Sequence, residues 1–433
     1  LDTRGIARAL APVAEREGDR VDALFERIDV LGLPPDGGPP GIEVRREEGL
    51  SVRLWRDGKS WTSSRDRLEP GELEEAIRQV SRTRTGASMP VPPIRLSSTE
   101  ISSADRHAVL RFPGRLQKAL RDRRVAFPYR LTVQFRRRDL RVVADRVGSP
   151  PQTERFFGCD VETPWGRCGS LTPSLGSGAA EELADRLVAR FRCREASAPE
   201  PGSRPLVLGP QTVAVLLHEA VAHALEADTL ALTGPPEGAL GVELGPSCLS
   251  VLDDPGAAGE GLSRSSDDEG SPTARRWLLR EGVVEQVLAD RSWASRSDRL
   301  EPGAGRRSSR HERVGPRSRF LELLPGEGAL EDLLQEVGDG LYLPEADRGR
   351  LDPWTGRFVL RVPGGRRVRE GRLGDPVGPC LLVGPVANLL SSVLRVGGRA
   401  VATGAGWCAK GGQRLPVFAS CPPLSLREGE IGA

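Results

Sequence analysis

Two periodicities alternate along the chain. Leu50, Val52 and Leu54 recur at every second position, as a half-buried strand requires. Leu131, Val133 and Phe135 repeat the pattern, and residues 140–144 read as a separate strand. Leu73, Ala76, Ile77 and Val80 fall at i, i+3, i+4 and i+7 behind Pro70, which predicts a helix with proline in its first turn. Residues 3–16 read as a helix, and Ala180, Leu183, Ala184, Leu187 and Phe191 mark an amphipathic one. Asp57-Gly58 predicts a turn before Trp61, residues 85–98 a connector, and 148–178 shows no period.

Residues 195–205 are the strongest linker signal, so the expected domains are 1–198 and 199–433. After the linker come a short strand at 205–208 and a strongly apolar helix over 212–227. Residues 277–279 and 283–288 flank Arg280-Glu281-Gly282 as a hairpin. Leu330, Leu333, Leu334 and Val337 predict a helix, and Phe358, Leu360 and Val362 a strand. The last forty residues read as short apolar runs broken by glycine. The expected class is α+β: an N-terminal α/β domain and a mostly antiparallel β domain carrying the apolar helix.

At 433 residues the chain has ample length for two cores. No run of 18 apolar residues occurs, which excludes a membrane-spanning helix. The start, Leu1-Asp2-Thr3-Arg4, carries no secretory h-region. Seven cysteines without a CxxC pair suit a reducing, cytoplasmic setting. A net charge of +2 argues against a chain-wide nucleic-acid surface.

The candidate chemistry lies in the apolar helix, which reads Leu217-His218-Glu219-Ala220-Val221-Ala222-His223. This is HExxxH, not HExxH. Residues four apart on an α-helix lie about 40° apart around the axis, and residues five apart about 140°. Two imidazoles at this spacing share one ion only where the helix is locally rewound, as in a π-bulge. The spacing alone leaves open two hydrogen-bonded core histidines. Against that, a buried His-Glu-His needs pairing or coordination. Cys408, in the glycine-rich run Gly404 to Gln413, is a candidate third ligand, although a lone cysteine in such a run also reads as a small buried residue. His107 and His311 read as surface histidines.

The stretch Leu216 to Asp228 resembles the signature of the TldD/PmbA metallopeptidases, the modulator-of-DNA-gyrase family. Asp253-Asp254, Asp267-Asp268-Glu269-Gly270, Gly303 to Arg307, Gly340-Leu341-Tyr342, Thr355 to Phe358 and Cys408 to Val417 follow in the family's order. Gly49 to Arg53 resembles its N-terminal domain. The resemblance implies a catalytic, D-type subunit. It implies Zn2+ held by His218, His223 and Cys408, with Glu219 as the general base toward water. It further implies small or unfolded peptide substrates, such as leader peptides or antitoxins, and a dimer, often a heterodimer with a TldE/PmbA-like subunit. The chain departs from the family at Ala222, Ala224 and Ala227, usually glycines, and at Arg310 and Glu312, usually Tyr and His. The changes at 310 and 312 motivate an alternative: a catalytically weak peptide-binding or partner-supporting subunit.

Six arginines crowd residues 306–319. They read as a solvated loop or as a substrate clamp of Arg306, Arg307 and Arg317. A nucleic-acid groove is the third reading, disfavoured by nearby acids and few aromatics. Asp267 and Asp268 read as exposed turn acids or as groups ordering the active-site loop. Glu226 and Asp228 are placed to orient an imidazole, and Lys410 to hold the Cys408 thiolate charged. The other six cysteines read as structural.

Overall fold

The computed structural model describes residues 3–14, 19–33, 42–56, 59–81, 96, 100–144, 147–176, 178–259 and 261–432. The Asp57-Gly58 turn and most of the 85–98 connector lie outside the described residues. Both domains of the α+β arrangement are present.

The N-terminal sheet runs Lys59–Arg65, Glu43–Arg56, Arg20–Gly32, Arg130–Ala144, Gln152–Thr163, Gly166–Thr172 in spatial order, every pair antiparallel. Its two faces differ because strand side chains alternate. One face is apolar. Val21, Ala23, Phe25, Leu50 and Val52 pack under helices Thr3–Leu10 and Pro70–Ser81. Val133, Phe135, Phe157 and Cys159 pack under Ser103–Asp122 and Ala179–Cys193. Pro12 ends the first α-helix well short of residue 16, since a proline removes an intrahelical donor.

The other face carries Asp22, Glu26, Arg53, Arg138 and Glu154, all buried against the C-terminal domain. This explains two departures from the sequence pattern. Residues 131–135 and 140–144 belong to one strand, Arg130–Ala144, although Arg136-Arg137-Arg138 interrupts its apolar period. Asp267 and Asp268, expected as exposed turn acids, are buried in the same contact. Arg138 Nη1 lies 3.0 Å from Asp268, Arg138 Nη2 3.0 Å from Glu26, and Arg53 Nη2 2.7 Å from Glu269.

The C-terminal domain packs two sheets over the apolar helix. The larger runs Arg348–Asp352, Arg357–Val362, Cys380–Pro385, Leu424–Gly432, Gly202–Leu208, Gly340–Leu343, Gly365–Arg369, Arg372–Val377. The smaller runs Val283–Val284, Arg276–Arg280, Val251–Asp253, Phe320–Leu323, Gln413–Cys421, Val401–Lys410. Most pairs are antiparallel; Gly340–Leu343 beside Gly202–Leu208 is parallel, as is Phe320–Leu323 beside Gln413–Cys421. One core joins Leu206, Val213, Leu217, Val251, Leu360 and Ala419, drawn from the helix and both sheets.

Strand Gly202–Leu208 starts inside the predicted linker. Pro205 sits in it where the register against Leu424–Gly432 slips between Leu426 and Gly429, so its missing N–H breaks no ladder bond. The chain's end forms long strands, not short runs. Gly411 and Gly412, at φ 61° and 79°, make the two-residue turn that folds Val401–Lys410 back onto Gln413–Cys421.

Glu345 joins the domains from the C-terminal side. It pairs with Arg186 and, at 2.7 Å, with Arg190 of helix Ala179–Cys193. Burial opposes its charge, but the two guanidiniums outweigh burial and hold its pKa at about 2, against an ordinary 4.5. A depressed carboxylate contributes stability above its unfolded pKa and loses it as pH falls toward the folded value. The melting temperature is therefore expected to drop between pH 4.5 and 2. Glu345→Gln should lower it at neutral pH and flatten that acid limb. An unchanged acid limb in the variant would contradict the assignment.

Candidate metal centre

The helix enters as Pro210–Leu217 and is rewound over His218–His223 into π geometry. Hydrogen bonding at i→i+5 returns residues five apart to one side. The condition that HExxxH imposes is met: the two imidazole rings lie 4.4 Å apart, centroid to centroid. After Ala224 the backbone straightens, and Glu226 is extended at φ −79°, ψ 131°. The N–H of Ala227 donates to Leu288 O and that of Leu288 to Leu225 O, tying this segment to a neighbouring strand-like run.

Cys408 sits on Val401–Lys410, packed against the helix, and its Sγ lies 3.3 Å from His223 Nε2. Ligand atoms of His218, His223 and Cys408 all fall within 4.8 Å of one another. A tetrahedral zinc at ~2.0–2.1 Å from nitrogen and ~2.3 Å from sulfur needs ligand separations of roughly 3.3–3.6 Å. Among the described residues neither ring nitrogen of the buried His218 has a hydrogen-bond partner. An imidazole left so is costly unless it coordinates. Burial, and then the charge of His223, depress the His218 pKa well below its ordinary value, favouring the neutral, ligating form. The residues therefore fit a zinc ion.

Glu226, fully buried, accepts from His223 Nδ1 at 2.8 Å and so turns Nε2 toward Cys408. Burial opposes a charged His223, but Glu226 and then Cys408 outweigh it and raise its pKa well above the usual range. The field that favours a proton there also favours a metal cation. Lys410 is positioned differently from the expectation. Its ammonium contacts Glu226 at 2.6 Å, Asp228 at 2.7 Å and Thr229 at 2.8 Å, so it balances the acids and not the thiolate. Asp228 contacts Lys410 and Arg317, not an imidazole.

Glu219 lies on the same turn, in the wall of a cavity of about 980 Å³ between the domains. His218, His223 and Lys410 share that wall. Burial raises the Glu219 pKa above the ordinary carboxylate value, and the backbone N–H of Leu351 donates to it. Leu351 belongs to Arg348–Asp352, the edge strand of the larger sheet. Gly349 of that strand is required there: a Cβ would stand 2.4 Å from Glu219 Cγ. The sequence reading missed this strand, because a glycine between arginines gives no apolar period.

The arginine clamp is corrected. Arg306 and Arg307 are buried outside the cavity wall. Arg306 Nη2 donates to Pro416 O at 2.9 Å, and Arg307 Nη1 to Ser51 Oγ at 3.1 Å across the domain contact. Arg317 lies behind the centre, 3.4 Å from Asp228 and 3.7 Å from Glu226. The solvated-loop reading fails for these three as well, since all are buried. Arg310, where the family resemblance expects Tyr, is buried against Glu26, Asp66 and the Arg65 carbonyl, also outside the cavity wall. His107 and His311 are exposed, as expected. Of the other cysteines five are buried and Cys248 is exposed.

Two imidazoles and an adjacent carboxylate in one cavity wall, with a buried thiol beside His223, form the constellation of a metal-dependent hydrolase. A family model for the PmbA/TldA metallopeptidase C-terminal domain matches residues 201–427, and the chain belongs to the PmbA/TldD family. A metalloprotease of Methanothermobacter thermautotrophicus is 32% identical over 255 residues, 58% of this chain and 55% of the relative. A TldD metalloprotease homologue of Haemophilus influenzae is 29% identical over 239 residues, 55% of this chain and 50% of the relative. A zinc metalloprotease TldD homologue of Saccharolobus solfataricus is 24% identical over 237 residues, 54% and 53% of the two chains. These matches span about half the length of the relatives. Two solved structures share the fold at TM-score 0.73, each covering 99% of both chains. One is a proposed modulator of a DNA gyrase from Thermotoga maritima, 18% identical, and the other TldE from Thermococcus kodakarensis, 16% identical. Among the described residues no helix is long and apolar enough to cross a membrane.

Proposed function

We propose that the chain is a zinc-dependent peptidase acting on small or unfolded peptides, with Glu219 as its general base. The observation that carries this reading is the unpartnered His218 imidazole beside His223 and Cys408, with Glu219 in the same cavity. His218, His223 and Cys408 would hold the ion, leaving a fourth position open. When bound, zinc supplies Lewis-acid polarisation of the scissile carbonyl and acidifies water.

The chain's own residues do the rest. Glu219 takes the proton of the attacking water and delivers it to the leaving amine nitrogen. Its raised pKa brings it closer to the pH at which a base can also act as an acid. The Leu351 N–H fixes the carboxylate's direction. Glu226 holds the His223 tautomer, and Lys410 and Arg317 offset the charge of Glu226 and Asp228. We further propose domains of 1–198 and 199–433, a cytoplasmic setting and a dimer, homomeric or with a TldE/PmbA-like subunit. The alternative, a silent peptide-binding subunit, drew on Arg310 and Glu312; of these, Arg310 sits in the domain contact outside the cavity wall.

Cleavage of unstructured peptides is expected to fall to background after dialysis against a strong chelator, and to return with one equivalent of Zn2+. Cleavage indifferent to the chelator would refute the zinc peptidase. Metal uptake without any cleavage would favour the silent subunit.

A further inference from the structure

Most cations in the cavity wall are already matched. Arg167 holds Asp160 at 2.6 Å, and Lys410 is surrounded by Glu226 and Asp228. Arg186 and Arg190 share Glu345. The wall's remaining acids are equally engaged. Arg361 holds Asp347 at 2.6 Å, and Glu219 receives the Leu351 N–H.

Three arginines of the wall stand outside this pairing: Arg348, Arg350 and Arg414. Among the described residues none has a carboxylate within ion-pair distance. Asp352, the acid that feels Arg350, is occupied by the Trp354 N–H at 3.0 Å and the Thr355 hydroxyl at 2.7 Å. Arg348 and Arg350 are two residues apart on the edge strand, so both side chains leave the same face. Gly349 between them turns toward Glu219, so the two exposed arginines leave the opposite face of this edge strand and meet the cavity along its open side. Arg414 comes from another element. It is the cross-strand partner of Ala409, next to Cys408, and its guanidinium lies 5.1 Å from the centre of the Trp407 ring. Unmatched positive charge therefore lines the cavity that His218, Glu219 and His223 share, from the edge strand and from the hairpin. A cleft with low-dielectric walls concentrates such a field.

We propose that this cavity selects acidic peptide segments, with Asp and Glu side chains beside the scissile bond received by Arg348, Arg350 and Arg414. The inference rests on the peptidase reading for its reaction, but binding tests it separately. The probes are two unstructured, labelled peptides of equal length, one with Asp and Glu, the other with Asn and Gln at the same positions. Anisotropy titrations use the Zn2+-loaded Glu219→Gln chain, and cleavage is followed in parallel with the unmodified chain.

The acidic peptide should bind about tenfold more tightly at low salt, the combined effect of several exposed charge pairs. The gap should narrow between about 0.05 and 0.5 M salt as the screening length shrinks. Adding Arg348→Gln and Arg350→Gln should remove most of the preference while leaving the neutral peptide's affinity unchanged; Arg414→Gln alone should remove part. Equal affinity for the two peptides overturns the inference, and if both are cleaved the peptidase reading survives it. An acidic preference without cleavage supports the inference and fails the peptidase reading. A single-stranded oligonucleotide of equal charge that binds as tightly as the acidic peptide would also overturn the inference, by assigning the arginines to nucleic acid.

Discussion

Glu219→Gln is expected to lower the rate of peptide cleavage by about 10²–10⁴-fold, the contribution of a positioned general base. The loss should appear in kcat, with KM and metal content nearly unchanged. Glutamine keeps the shape of the side chain beside Gly349 and leaves the ligating residues untouched. It cannot take a proton. A variant that cleaved at the native rate would remove Glu219 from the mechanism. One that lost metal as well as activity would recast it as a structural support of the centre.

Asp268→Ala is expected to be the most destabilising single change outside the centre. Asp268 is fully buried between the domains. It accepts from Arg138 at 3.0 Å, Arg264 at 3.1 Å and the Arg307 backbone N–H at 2.8 Å. Burial opposes its charge, but the guanidiniums of Arg138, Arg264 and Arg319 outweigh it and hold the carboxyl well below the ordinary range. Removing it leaves buried guanidiniums without their counter-charge, which costs about 3–5 kcal/mol. The measurement is the shift of the urea midpoint and melting temperature against the unmodified chain. A shift under about 1 kcal/mol, the value of an exposed pair, would mean that water reaches this contact.

That buried charge network also marks where the sequence was hardest to read. Charged residues are rarely buried, so Asp267, Asp268 and the 306–319 arginines read naturally as surface. Several of their partners lie more than a hundred residues away: Arg138 for Asp268, Ser51 for Arg307, Glu26 for Arg310. No local period carries such information. The same network hid the middle of strand Arg130–Ala144, where Arg138 faces a polar interior. The helices read from the sequence at 70–81 and 179–193 were legible because one face of each meets an apolar core, as Leu73, Ala76, Ile77 and Val80 do; helix Ser103–Asp122 was not read.

The centre was legible in part. HExxxH posed a geometric condition, a rewound helix, and His218–His223 adopts it. Cys408 came from resemblance; its distance from the histidines in sequence gives no spacing to read. Glu226 was legible as a partner of an imidazole, whereas the role of Lys410 depended on where the Gly411-Gly412 hairpin delivers it.

The most direct test of the account is the metal content per chain, measured by mass spectrometry on the native protein and on Cys408→Ser after reconstitution with Zn2+. About one zinc per native chain and a large loss in the variant are expected, because a hydroxyl replaces one of three ligands. No bound metal in the native chain, or equal zinc in both, would contradict a centre built from His218, His223 and Cys408.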